Sequence, residues 1–266
     1  MSLVSMSVAG QERILARLLR RPLGWRSSST TLFSQSLSLS RKHFHRSSTH
    51  NHTPKPPTHY TTNKMSPSAQ FIDLLKARRT IYTLEAKSPI PDAKIQEIVE
   101  QILLHTPSSF NSQSTRVVLL FKEEHEKLWD ITKDALKAIV PEAQFEATAQ
   151  RIAGFRAGYG SILFFEDRSV VSKMQAGFPT YADKFPVWAT QSDAMTQYAI
   201  WTALEAEGLG ANLQHYAPLI DAKVAEQWKI PADWELNAQL VFGTPTAAAG
   251  EKTFAPLEER FKVFGA

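Results

Sequence analysis

Read for its apolar spacing, the chain becomes regular only from about residue 69 onward. Residues 69–78 place Phe71, Leu74 and Leu75 on one face of a short helix. Pro91-Asp92 opens a second helix that runs to about His105, with Ile95, Ile98, Val99, Ile102 and Leu103 along one stripe. Residues 106–113, Thr-Pro-Ser-Ser-Phe-Asn-Ser-Gln, are capping and turn types and predict a loop. The continuous apolar runs at 116–121 and 161–165 predict two buried strands, with helices at 123–139 and 142–157 between them. Residues 179–188 are aromatic and irregular. Residues 192–207 predict a long helix. Met195, Tyr198, Ala199, Thr202 and Ala206 line one side of it, while Trp201 and Leu204 point elsewhere. A helix apolar on more than one side is buried on more than one side, which suits a central or subunit-interface position. A further helix over 218–228 and a third strand over 236–242 follow. The tail 254–264 is apolar and has no evident place within one subunit. Helices and strands interleave, so the class is α/β or α+β with three or more strands.

Composition divides the 266 residues at about position 64. The first 64 hold ten Lys or Arg and one acid, Glu12, a charge of +9; the chain total of +4 therefore leaves the remaining 202 residues at −5. The basic pI belongs to the leader, and an acidic body speaks against nucleic acid as a partner. The 65–266 body is long enough to bury a core by itself. No cysteine is present, which excludes disulfides, thiolate metal sites and a Cys nucleophile. No apolar run reaches membrane-spanning length.

The leader has two readings. Arg13 to Arg21 is a short basic amphipathic stretch, followed by a Ser-rich, acid-poor segment with Arg41, Lys42 and Arg46, the composition of a mitochondrial presequence. Alternatively Met65 opens the protein, and the leader is an upstream extension of a chain that stays in the cytoplasm, with access to the nucleus. On either reading the segment through Pro54-Lys55-Pro56-Pro57 is expected to be disordered. Its five histidines lack the fixed geometry of a metal site.

Several chemistries are absent. There is no phosphate-cradling G-x-x-x-x-G-K-[ST] loop, no G-x-S-x-G elbow and no H-E-x-x-H pair. Gly158-Tyr159-Gly160 and Gly208-Leu209-Gly210 lack the third glycine of a dinucleotide fingerprint. His105, His125 and His215 are too scattered to form a metal cluster. No metal site and no catalytic side chain is expected.

Three segments carry candidate binding chemistry. Arg78-Arg79-Thr80 follows a helix, and two guanidiniums beside a hydroxyl suit a phosphate monoester. The same residues also make an ordinary solvated helix end. Asn111 and Gln113 offer alternating amides that can read the polar edge of a planar heterocycle, or can simply serve a turn. Gly208 to Tyr216 follows the long helix; Gly208 is expected to cap it, and small residues there permit close backbone approach to a ligand. His215 alone reads as a structural histidine, and Lys252 as an exposed lysine.

These segments occur in one order. Arg78-Arg79-Thr80-Ile81-Tyr82, Pro107-Ser108-Ser109-Phe110-Asn111-Ser112-Gln113, Gly158 to Asp167, Gly208 to Tyr216, and Phe242-Gly243-Thr244-Pro245 with Gly250-Glu251-Lys252 together resemble the nitroreductase family. The resemblance is to its fungal and bacterial branch of small nitroreductases and covers about 69–264. It implies an α+β fold with a central, mainly antiparallel sheet flanked by helices. It implies an intertwined homodimer with exchanged C-terminal segments and two non-covalent FMN molecules at the subunit interface. Arg78, Thr80 and Lys252, with Arg79 adjacent, would hold the phosphate. Ser108, Ser109, Asn111 and Gln113 would contact flavin, some of them from the partner subunit. The backbone around Gln214, His215 and Tyr216 would face flavin N5. Many members have a Lys or Arg where Tyr82 stands, beside the pyrimidine end, and a second C-terminal cation where Phe254 stands.

The activity implied is NAD(P)H oxidation coupled by ping-pong hydride transfer to a small-molecule acceptor: a nitroaromatic, a quinone or a related electrophile. Phe178, Tyr181, Phe185 and Trp188 are candidates for the acceptor wall, or for ordinary core. The rival reading is a flavin-binding redox or stress regulator with little turnover, motivated by Tyr82 and Phe254.

Overall fold

A computed structural model describes residues 66–266. Both readings of the leader fall outside the described residues. Ser66 caps the first helix, α1 (Pro67–Ala77), by accepting the Ala69 N–H, with Pro67 in the first turn where no partner N–H is needed. After strand β1 (Leu84–Glu85) come α2 (Asp92–His105), a single 3₁₀ turn (Ser109–Asn111) and strand β2 (Thr115–Phe121). Helices α3 (Lys122–Lys137) and α4 (Glu142–Arg156) lead to strand β3 (Gly160–Asp167) and helix α5 (Arg168–Gly177). The long helix α6 (Phe185–Ala206), strand β4 (Gly210–Gln214), α7 (Asp221–Trp228) and strand β5 (Trp234–Pro245) complete the body.

The class is α+β. Strands run in the order β1-β5-β3-β2, and β4 also pairs with β5; every strand pair is antiparallel. One isolated parallel bridge joins Thr80 to Ala211. β3 is buried at every position because it is flanked by β2 and β5 and covered on both faces. Successive side chains alternate faces. Ile162 and Phe164 meet Ile95 and Val99 of α2 and Ile200 and Leu204 of α6. Ser161 faces the other way, where its hydroxyl meets His125 Nδ1 at 2.8 Å and accepts the Trp129 indole N–H at 3.1 Å. His125 is therefore a satisfied core histidine, and burial pushes it down to about 4, so it stays neutral.

Four expectations change. The helix α5 lies where no element is expected: its apolar residues are few, and it forms because Asp167 caps its first turn through Ser169 and Val170 N–H. The segment 179–188 is only partly irregular, since α6 begins at Phe185 with Pro186 in its first turn. The segment read as glycine-rich backbone open to a ligand is strand β4: a Cβ on Gly210 would meet Leu84 and Ile81 at 3.0–3.1 Å, so protein fills that space. Gly208 does cap α6, with φ +88°. Of the α6 faces, Ile200 and Leu204 enter the core, whereas Met195 and Tyr198 stay exposed on the protomer. The tail also remains uncovered, with Phe254 75% and Phe264 89% exposed. Among the described residues no helix is long and apolar enough to cross a membrane.

Candidate functional site

The predicted residues gather at two places along α6, one from Tyr198 to Glu205 toward its C-terminal end and one about Ser192 and Thr196 in its N-terminal half. At its C-terminal end, Glu205 reaches out to the chain leaving α1. Its carboxylate accepts the Arg79 backbone N–H at 2.7 Å and the Trp201 indole N–H at 2.7 Å. Burial pushes the Glu205 carboxyl up, against those two hydrogen bonds and the positive charge of Arg78. The Arg78 guanidinium lies 4.4 Å from the Trp201 ring centroid and 5.6 Å from that of Tyr198. Stacking holds this cation in place without consuming its N–H donors. Its Nε is buried and has no hydrogen-bond partner, a cost that an anionic acceptor would remove.

Arg79 serves differently. Its guanidinium donates to the Gly250 carbonyl and so fastens the C-terminal segment beside α1. That brings Lys252 to the same neighbourhood, exposed, with its ammonium 5.2 Å from the Phe254 ring. Thr80 and Ile81 bond the start of β4, the latter through Ile81 N–H to Ala211 carbonyl at 2.9 Å. Tyr82 is 55% exposed.

β4 continues the site. Asn212 is buried; its amide donates to the Ile81 carbonyl at 2.8 Å, and its oxygen accepts from Gln214 at 2.9 Å, which fixes the Gln214 side chain. His215 is exposed. Tyr216 turns inward instead: its ring packs on Trp129 and Phe155, burial pushes its phenol up to about 12, and its N–H donates to Gln239 at 2.9 Å. Neither the ring nor the N–H of Tyr216 is left for a ligand.

At the N-terminal half of α6 sits the 107–113 loop. Ser108 Oγ accepts the Gln113 N–H at 2.9 Å. Ser109 and Phe110 form the 3₁₀ turn with Asn111, and the Asn111 and Gln113 side chains face solvent. Ser108, Gln113, Arg116, Ser192, Thr196 and Trp234 line part of a cavity of about 590 Å³. The aromatic residues form one cluster on this loop. The Phe110 ring is 4.7 Å from Phe178, 5.5 Å from Phe185, 6.0 Å from Tyr181 and 6.2 Å from Trp188. Phe185 is buried, while Phe110, Phe178 and Tyr181 are exposed, so the cluster is a surface with a buried base.

Reasoning from the sequence did not find Glu205, Arg116, Asp167 or Asp193. Glu205 stands four residues after Trp201 on an apolar helix, a spacing that puts both on one face. Asp193 is wholly buried. It accepts from Gln197 at 2.8 Å and from Asn237, and one of its oxygens has no partner. Burial, with the Glu166 charge nearby, pushes it up to about 7 against the two amide bonds.

Comparison with known proteins fits this arrangement. The nitroreductase family model matches residues 75–244. HBN1 of Saccharomyces cerevisiae, named for the same family, is 43% identical over 192 residues, which are 71% of this chain and 95% of that protein. Nitroreductase CinD from Lactococcus lactis, solved in complex with nicotinic acid, is 46% identical with a TM-score of 0.68, over 73% of this chain and 99% of that one. It has also been solved with chloramphenicol and with 4-nitrophenol. A more distant fold neighbour, from Desulfovibrio desulfuricans, is solved in complex with FMN; it is 19% identical, with a TM-score of 0.54 over 76% of this chain and 99% of that one. The chain belongs to the nitroreductase family and is an oxidoreductase of that type.

Proposed function

We propose that the chain is an FMN-dependent NAD(P)H oxidoreductase that works as a homodimer and reduces aromatic electrophiles such as nitroaromatics and quinones. The observation that carries this is Arg78, a stacked cation with a buried, unpartnered N–H. A phosphate monoester satisfies that donor, and Lys252 adds a second positive charge on the same side. These residues fit the phosphate end of FMN.

The dimer reading takes the two half-sites of one flavin to come from different subunits. Arg78 lies against Tyr198 and Trp201 of α6, and the 108–113 loop lies beside the cavity at Ser192 and Thr196. A partner subunit related by a two-fold axis would supply Ser108, Ser109, Asn111 and Gln113 to the flavin held by Arg78. The exposed apolar tail, with Met195 and Tyr198 of α6, supplies surface for such a partner.

When bound, FMN supplies the redox chemistry, taking hydride from NAD(P)H and passing electrons to the acceptor. The chain's own residues bind and orient. Arg78 and Lys252 neutralise the phosphate. Asn111 and Gln113 present exposed amides to the polar ring edge, although the Gln113 Nε2 also donates to the Asn111 carbonyl. Phe110, Phe178 and Tyr181 offer ring faces on which a planar acceptor stacks. The aromatic compounds bound by CinD support that class of acceptor.

Tyr82 favours a second reading, a flavin-binding redox or stress regulator with little turnover. It is exposed and uncharged at the position where a cation would stabilise negative charge. Two measurements separate the readings. Purified protein should be yellow, lose colour with NADPH, and oxidise NADPH steadily with menadione. A yellow protein without turnover supports the regulator; a colourless one that binds no added FMN defeats both.

A further inference from the structure

The 108–113 loop is strained. Phe110, Asn111 and Gln113 all have positive φ, at 56°, 54° and 51°, and none is glycine. Each such residue costs about 1–2 kcal/mol, so the surrounding structure must over-determine this shape. Within the loop, backbone turn bonds, the Ser108–Gln113 contact and a hydrogen bond from the Gln113 side-chain amide to the Asn111 carbonyl at 3.3 Å hold it. The main anchor from outside is Arg116.

Arg116 is the second residue of β2. Its Nη1 donates to the Gln113 carbonyl at 2.6 Å and to the Thr115 carbonyl at 3.0 Å. Its Nη2 donates to Asp167 Oδ2 at 2.9 Å, and the guanidinium lies 5.8 Å from the Trp234 ring centroid. Both terminal nitrogens thus donate to protein, which makes Arg116 a brace for the loop. Asp167 is the pivot. Its Oδ1 accepts from Ser169 N–H at 3.0 Å, Ser169 hydroxyl at 2.7 Å and Val170 N–H at 3.3 Å, fixing the start of α5. α5 ends at Phe178, whose ring packs on Phe110 of the loop. The path closes on itself: loop, Arg116, Asp167, α5, Phe178, loop.

We propose that Arg116 and Asp167 are a positioning pair that holds the 108–113 loop in its flavin-ready shape and sets the acceptor wall against it. Asp167 does not line the cavity, and Arg116 lines it with both terminal nitrogens donating to protein. The proposal rests on the reading that this loop contacts FMN. One side chain, Asp167, then governs both cofactor affinity and the acceptor pocket, because its two oxygens serve the two ends of the path.

The test uses the full chain stripped of flavin and titrated with FMN, followed by steady-state kinetics at saturating FMN. Arg116→Met keeps bulk over Trp234 and removes every donor; the FMN dissociation constant should rise about tenfold or more, the equivalent of one charge-assisted hydrogen bond. Arg116→Lys should recover part of that loss, since it keeps a point charge toward Asp167 without the fork. The acceptor KM should rise while kcat at saturation changes little. The melting midpoint of the flavin-free chain should fall by a similar small amount for Met and Lys, so stability alone will not order the variants as affinity does. Asp167→Asn should reproduce the Met effect, and the double variant should lose no more than either single one. Arg78→Ala is the control. If it weakens FMN binding and Arg116→Met does not, the positioning role is overturned and the flavin reading stands. If the parent chain binds no FMN, the flavin reading falls and takes this proposal with it. If Arg116→Met, Arg116→Lys and Asp167→Asn all fail to fold, the pair belongs to the fold's core and the positioning role is likewise overturned.

Discussion

The two ends of α6 arrive at their shapes by different routes. At the Glu205 end the shape comes from side chains distant in sequence: a carboxylate near the end of one helix catches the backbone leaving another, and a tryptophan supplies the floor on which Arg78 lies. The backbone there is ordinary. At the Ser192 end the shape comes from the backbone itself, forced into left-handed conformations within a few residues and braced by one arginine. Electrostatic preorganisation at the first end leaves a donor unpaired for an anion. Steric preorganisation at the second leaves two amides facing out. A ligand with a charged end and a planar polar end would use both, and the proposed dimer would bring them together across the subunit interface.

The strongest way to break this comparison is to remove the partner. Deleting 254–266 keeps Lys252 and takes away the exposed apolar tail. Light scattering should then give the mass of one chain in place of two, and FMN affinity should drop by more than about a hundredfold. A truncated chain that stays dimeric and yellow would mean that the two ends are joined in some other way.

The next largest effect is expected at the Arg78 end. Arg78→Ala removes a charge-assisted contact of about 1.5–3 kcal/mol, so FMN affinity should fall roughly ten- to hundredfold. Lys252→Ala should follow more weakly. Fluorescence quenching on titration reads both, and a parent-like affinity for Arg78→Ala would end the phosphate assignment.

A smaller effect sharpens the Ser192 end. Asp193 is held up at about 7 in the fold, above its ordinary range. An acid that binds its proton more tightly when folded stabilises the fold at low pH, and that contribution is lost as pH climbs toward the raised value. Asp193→Asn removes the dependence. The melting midpoint of the variant relative to the parent should therefore rise by about 5 °C from pH 5 to pH 8. A difference that stays flat with pH would show that Asp193 is ionised in the fold throughout.

Smallest is Tyr82→Lys, which restores a cation at an exposed position. Steady-state turnover should rise several-fold, about 1 kcal/mol or less in the barrier because solvent screens the charge. Unchanged turnover would place Tyr82 away from the developing charge.

Much of the fold was legible because its apolar periods are clean. Strands β2, β3 and β5 and helices α2, α3 and α4 lie within a few residues of where their patterns put them. α5 was not legible, since a capping carboxylate and a neighbouring aromatic cluster stabilise it more than its own sequence does. β4 was mistaken for open backbone because glycine next to a helix end signals a turn, and only the pairing with β5 makes it a strand. The Arg78, Ser108 and Lys252 segments were proposed from their residue types and order. Glu205, Arg116 and Asp167 were missed, because an acid on a helix or an arginine on a strand looks solvated until its partner is known.

The sequence by itself determined the periods, the helix starts and stops, the charge split between leader and body, and the family, since each of these is carried by local spacing or by residue order. The tertiary structure decided which cations are free and which are spent. Arg78 and Arg79 are adjacent and chemically alike, yet one lies on Trp201 with an unpaired donor and the other is tied to the Gly250 carbonyl. Tyr216 was committed to the core in the same way. Hydrogen bonds and ring contacts between residues far apart in the chain set these fates, and such contacts depend on where the chain brings its segments together, which spacing along one segment does not encode.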